Sequence, residues 1–271
     1  MKYQEIAPGA RLKPYVKCYF IYESTNNSTI EDTVFPSGCM EIIFNMGTGK
    51  WQSAVGNEFV TTPSIELWGQ IIKPLAIRSI GGHTMLGVRF LPHGAAYFFK
   101  ENIEQFNNQI VDYSDFSGSS VKLLHEQLLD IPTWNKRIEL MEDFLWKRLL
   151  LAEKGKNKAA LVSDIMHVLK QDDFFDNIEN VASRYGITSR YLQKLFLKHT
   201  GLTPKLYSKI HRFQNSLSLV AKKDTSLTSI AYDCGYFDQS HFIREFKSFT
   251  GRTPSDYSPE NSPITSAFSN H

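Results

Sequence analysis

No apolar run in this sequence approaches the ~18 residues of a membrane-spanning helix. The opening stretch MKYQEIAPGARLKPYVK breaks with proline and charge before the apolar core of a secretory signal develops. Cysteine is scarce. Cys18, Cys39 and Cys234 are odd in number and contain no CxxC spacing, a pattern that speaks against a disulfide framework and for reduced thiols. These shortages predict a cytoplasmic protein without a membrane partner. Catalytic signatures are lacking as well: GTGKW (47–51) has neither the upstream glycine nor the following serine or threonine of a phosphate loop, and no GxSxG or HExxH occurs. Cys39, Glu41, His83 and His93 are metal-ligand residue types, but no two of them stand at a HxH or CxxC spacing. No catalytic residue, metal or cofactor is therefore expected.

What the chain does have is an uneven distribution of charge and pattern. Residues 1–155 carry 15 basic and 17 acidic side chains, residues 156–258 carry 15 and 10, and the basic excess suits a polyanionic partner. A length of 271 residues favours two domains. VKCYFIYE, CMEIIFNM, SIELWGQII, LAIRSI and MLGVRFL are short runs rich in Ile, Val, Phe and Tyr, which predicts a strand-rich, barrel-like domain. From Pro92 the apolar period lengthens. GAAYFFKENI, SSVKLLHEQLLDI and TWNKRIELMEDFLWKRLLLAE read as helices, the last with a stripe of Ile138, Met141, Leu145 and Leu149 that either fills the core or covers a homodimer interface. EKGKNKAA (153–160) reads as a linker, and the polar tail 259–271 as flexible. The expected fold is α+β in two domains, with strands and helices in 1–155 and an all-α region in 156–258.

That all-α region contains an internal repeat. YLQKLFLKHTGLTPKLY (191–207) and HFIREFKSFTGRTPSDY (241–257) align without gaps, with six identities in seventeen columns and a cation kept at Lys194/Arg244. Upstream, Ala182 stands four residues before Gly186, and Ala231 four before Gly235, with one extra residue in the second turn. Two helices crossing steeply need a small residue where they touch and a glycine that tolerates positive φ in the turn. They also need apolar positions that pin the second helix to the first. Each copy thus predicts a helix-turn-helix unit. Between the copies, TPKLYSKIHRFQNSLSLVAKK opens with Thr203 as N-cap and Pro204 in the first helical position. It predicts a linker helix of about nineteen residues, roughly 28 Å long at ~1.5 Å per residue. Successive major-groove segments on one face of B-DNA lie about 34 Å apart, so two units on such a spacer suit two consecutive segments.

The paired units, the linker helix and above all SIAYDCGYFDQSHFIREFKSFTGRTPSDY (229–257) resemble the DNA-binding domain of the AraC/XylS family of bacterial transcription regulators. The resemblance covers residues 159–257 or so. It implies a sequence-specific transcription regulator, an activator, that places the second helix of each unit in the major groove of double-stranded DNA and has RNA polymerase as a partner. FPSGCMEIIFNMG and GVRFLPHGAAYFF resemble the uncharacterised sensor-type domain of some members. That likeness implies a sensor or dimerisation role for 1–155 and a small-molecule effector, which it does not name.

In the first reading helix Leu192, Leu195 and Phe196 fix the apolar face, leaving Ser189, Arg190, Gln193 and Lys194 on or near the opposite one. Arg190 or Lys194 can donate to guanine and Gln193 can pair with adenine. In the second, Phe242 and Phe246 point inward and Gln239, Ser240, Arg244 and Lys247 outward. Arg244 is the candidate for a base and Lys247 for a phosphate, with His241 at the DNA backbone or in a cap or surface role. Lys198, Lys209 and Arg212 are further phosphate candidates, and Cys234 is small core filler. Glu41 and Arg89 either line a pocket or face water. Two rivals stay open at this point, a barrel-type enzyme or a DNA-alkyl acceptor using Cys18 or Cys39, each fused to a DNA-binding module.

Overall fold

The computed structural model describes residues 2–26, 28–151, 156–171 and 178–261. The strands are β1 Lys2–Ile6, β2 Val16–Ser24, β3 Thr29–Val34, β4 Glu41–Asn45, β5 Lys50–Val55, β6 Glu58–Thr61, β7 Ile65–Trp68, β8 Leu75–Ile80, β9 His83–Phe90 and β10 Ile110–Asp112. They form two antiparallel sheets, ordered β1-β2-β9-β4-β7-β10 and β3-β8-β5-β6. Alternation along the strands of the larger sheet sorts its side chains into two layers. Tyr19, Ile21, Ile42, Phe44, Leu86 and Val88 pack on one face against helices, while Phe20, Tyr22, Ile43, Trp68 and Met85 meet Trp51 and Ile77 of the smaller sheet on the other.

The covering helices are α1 Ser114–Ser117, α2 Ser119–Asp130 and α3 Trp134–Leu151. Ile138, Met141, Leu145 and Leu149 are buried in this chain's own core, so the stripe on α3 is not an intersubunit surface. Five strands that the sequence did not announce, β1, β3, β5, β6 and β10, are short and half-polar; TIEDTV and EFVT lack the apolar density that marks a strand. The expected helix at GAAYFFKENI is only a 3-10 turn, Ala95–Tyr97, followed by another at Ile103–Phe106.

Beyond α3 the described residues form α4 Lys156–Gln171, α5 Ile178–Arg184, α6 Ser189–Thr200, α7 Pro204–Lys222, α8 Leu227–Asp233 and α9 Gln239–Thr250. α4 begins inside the segment expected to be a linker; residues 152–155, like the tail 262–271, lie outside the described residues. A second core joins Val162, Ile165 and Leu169 of α4 to Leu192, Phe196, Phe213, Phe242 and Phe246. Phe35, from the strand-rich region, belongs to this core as well.

Candidate nucleic-acid interface

Each unit is built from local signals. Gly186 and Gly235 take φ of +65° and +72° in the two turns, conformations that cost an L side chain free energy and cost glycine none. Ile187 N–H then donates to Ala182 O (3.1 Å) and Tyr236 N–H to Ala231 O (2.9 Å), folding each turn back onto the small residue of the first helix. The second helices are N-capped by Thr188, which accepts from Tyr191 N–H, and by Asp238, which accepts from His241 N–H at 2.7 Å. The extra residue of the second copy sits in this turn, between Gly235 and the start of α9.

The repeated Thr-Gly-x-Thr-Pro has the same job in both copies. The Thr200 hydroxyl donates to Phe196 O (2.8 Å) and accepts from Leu202 N–H; Thr250 does the same with Phe246 O (2.9 Å) and Arg252 N–H. Gly201 (φ +71°) and Gly251 (φ +76°) end the helices in the left-handed region. Thr203 caps α7 through Leu206 N–H, with Pro204 in the first turn. The phrase is therefore a helix stop after each reading helix, followed in the first copy by the start of the nineteen-residue linker helix.

On α6, Arg190, Gln193 and Lys194 are exposed and Ser189 is half-buried; on α9, Ser240, Arg244 and Lys247 are exposed. Gln239 is half-buried, its side-chain oxygen accepting from the Thr228 hydroxyl at 2.9 Å. The half-buried His241 ring turns inward, Nε2 lying 3.9 Å from the Glu245 carboxylate and 3.5 Å from Arg212 Nη2. Arg212 corrects the sequence reading. It is buried, its Nε and Nη2 each 2.6 Å from a Glu245 oxygen and its guanidinium 4.5 Å from the Tyr236 ring centroid, so it has nothing to offer a phosphate. Burial opposes its charge, but the Glu245 bond outweighs burial and keeps it protonated. Arg212 holds α9 to the linker helix. Lys209 is 3.4 Å from Glu245, Lys198 is exposed, and Cys234 is buried as core filler. Sequence reasoning missed Phe237, 85% exposed in the turn before α9, and Tyr232, 65% exposed on α8. Spacing gave no means of telling Phe237 from its buried neighbour Tyr236.

The C-terminal end of α6 rests on the strand-rich region. His199 meets the Tyr97 ring, Gln70 Nε2 donates to Thr200 O (3.2 Å), and Asn107 Nδ2 donates to Gly201 O (2.8 Å). On α7, Gln214 Nε2 donates to Pro36 O, and the Phe35 ring packs between Phe213 and Tyr257, 6.4 and 6.1 Å away. The exposed residues of α6 and α9 stay uncovered in this arrangement.

Residues 181–259 match the family described as a helix-turn-helix domain. Over 114 residues the chain is 33% identical to the HTH-type transcriptional activator RhaS of Salmonella newport (strain SL254), a match covering 41% of each chain. The C-terminal domain belongs to the AraC/XylS family. The chain spans about two fifths of the length of the curated relatives it matches (41%). Residues 4–112, which precede the AraC/XylS domain, match a domain of unknown function (DUF6597). Among solved structures, ToxT from Vibrio cholerae aligns with 95% of this chain and 98% of its own at 14% identity and a TM-score of 0.48. A probable AraC family transcriptional regulator from Rhodopseudomonas palustris CGA009 aligns with 38% of this chain and 97% of its own at 25% identity and a TM-score of 0.32. Among the described residues no helix is long and apolar enough to cross a membrane.

Proposed function

We propose that this protein is a sequence-specific transcription regulator, an activator, whose two AraC/XylS units read successive major-groove segments of one promoter site. The observation that carries this reading is the pair of capped second helices, each with an exposed polar face, joined by one unbroken helix of nineteen residues. At ~1.5 Å per residue that helix spans roughly 28 Å, and the offset of each unit makes up the rest of the ~34 Å between grooves. Arg190, Gln193, Lys194 and Arg244 are the base readers in this proposal. Lys247 is a phosphate contact, and Ser189, Gln239 and Ser240 lie at helix N-termini, where backbone N–H groups favour phosphate. His241 approaches the DNA backbone only from its half-buried place beside Glu245.

Residues 1–155 are the input region in this reading and 156–258 the reader. A small-molecule effector acts on the first, and RNA polymerase is the partner of the assembled regulator. Selection of genomic fragments by the full chain, followed by binding to the winning site across a salt series, tests the proposal. The expected result is a motif of two segments about one helical turn apart, with log affinity falling steeply against log salt. Affinity that does not depend on sequence at any salt concentration contradicts it.

A further inference from the structure

Between the two sheets lies a cavity of about 140 Å³ that DNA reading does not use. A cavity of about 150 Å³ accommodates a benzene ring, so the space suits a ligand built on one ring or a few carbons. Its apolar walls are Trp51, Trp68, Ile43, Ile71, Ile77 and Met85. Its most buried ionisable group is the carboxyl of Glu66 on β7, wholly out of contact with solvent. Glu66 Oε1 accepts from the Thr62 hydroxyl at 2.6 Å and Oε2 from the Trp68 indole N–H, but among the described residues no ion pair contains it.

Arg89, the buried cation beside the cavity, is already committed. Its Nε lies 2.6 Å from Glu41 and its Nη1 2.8 Å from Glu5. Lys17, also on the lining, is exposed. Two carboxyl groups, Glu41 and Glu66, therefore line the site against one buried guanidinium, which Glu41 and Glu5 already pair. An anion would have to strip a carboxylate from Arg89 and sit beside the others. A cation would supply the charge that Glu66 lacks and find two indole rings in the wall.

We propose that this cavity binds a small organic cation, an amine on a one-ring or similarly compact apolar body, with its charge at Glu66 and its body against Trp51 and Trp68. The inference rests on the reading of residues 1–155 as the regulator's input, and the cavity has a physical route to the reader. Phe35, Ser37, Cys39 and Gln214 line it too. Phe35 is also part of the AraC/XylS core, and Gln214 is on the linker helix. A ligand that displaces the segment around Phe35 thereby displaces α7.

The test is calorimetric titration of the full chain at pH 8, above the Glu66 value, with benzylamine, benzyl alcohol and benzoate, which share a body and differ in charge. The expected order is benzylamine tightest, by about ten-fold over the alcohol, with benzoate weakest. In Glu66→Gln, checked for folding by circular dichroism, the preference for the amine disappears. Equal binding of amine and alcohol, tighter binding of benzoate, or no saturable binding of benzylamine at millimolar concentration overturns the proposal. The wild-type series decides this even if the variant does not fold. Affinity for the selected DNA site, measured with and without benzylamine, separates the two readings. Loss of cation binding with DNA binding intact removes this inference alone. Cation binding that leaves DNA affinity unchanged upholds the ligand class and removes effector control.

Discussion

Arg244 and Arg212 lie on neighbouring helices and have opposite roles because of what surrounds them. Arg212 is spent on Glu245, whereas Arg244 is exposed on the outward face of α9. Arg244→Ala is expected to cost about 1–3 kcal/mol on the selected site and to relax one base position, measured by competition among single-base variants of the site. A uniform loss across all variants would make Arg244 a phosphate contact. Glu66 gives a prediction on stability. Burial pushes its carboxyl up to about 7, with the Thr62 and Trp68 bonds pulling it down and the Glu41 carboxylate pushing it up; committed Arg89 and exposed Lys17 complete the charges around it. Between its ordinary 4.5 and about 7 the folded protein holds a proton that the unfolded chain has released. Stability contributed at this site therefore falls as pH rises through that window. Urea midpoints measured against pH should fall less steeply in Glu66→Gln than in the wild type; parallel slopes would contradict the burial argument.

At the scale of elements, what the sequence revealed was whatever is encoded within one turn of chain. Both helix-turn-helix units, the linker helix from Thr203 and the extra turn residue were legible because caps, positive-φ glycines and helical periodicity are local signals. The role of Arg212 was not legible, since Glu245 lies 33 positions away and spacing along α7 says nothing of what packs on it. The same holds for β3, β5 and β6, whose polar outward residues are explained only by the sheet that the segments join. For Glu41 and Arg89 the choice between pocket and solvent is made by cross-strand register, where the two stand directly opposite on β4 and β9. The cap of α9 is tested at Asp238. Asp238→Ala removes the acceptor for His241 N–H and should cost about 1 kcal/mol in chemical denaturation, with little change in DNA sequence preference. A change in preference at constant stability would assign Asp238 to the DNA surface instead.

For the whole molecule, the central feature is that the two regions share a core. Phe35 packs between Phe213 and Tyr257, and Gln70, Asn107 and Gln214 bond across the same junction. Phe35→Ala should cost about 3–5 kcal/mol and split thermal unfolding into two transitions as the regions lose their shared side chain. A single transition at the wild-type temperature would show that the junction contributes little. The rigid linker helix makes the strongest claim. The most direct measurement is affinity for the selected DNA site after insertion of about five, and then about ten, base pairs between its two segments. Both insertions are expected to abolish the second unit's contribution, because a helix of fixed length cannot follow the displaced groove. Affinity that returns with the whole-turn insertion would contradict it, since only a flexible connection or a pair of chains could then be reading the site.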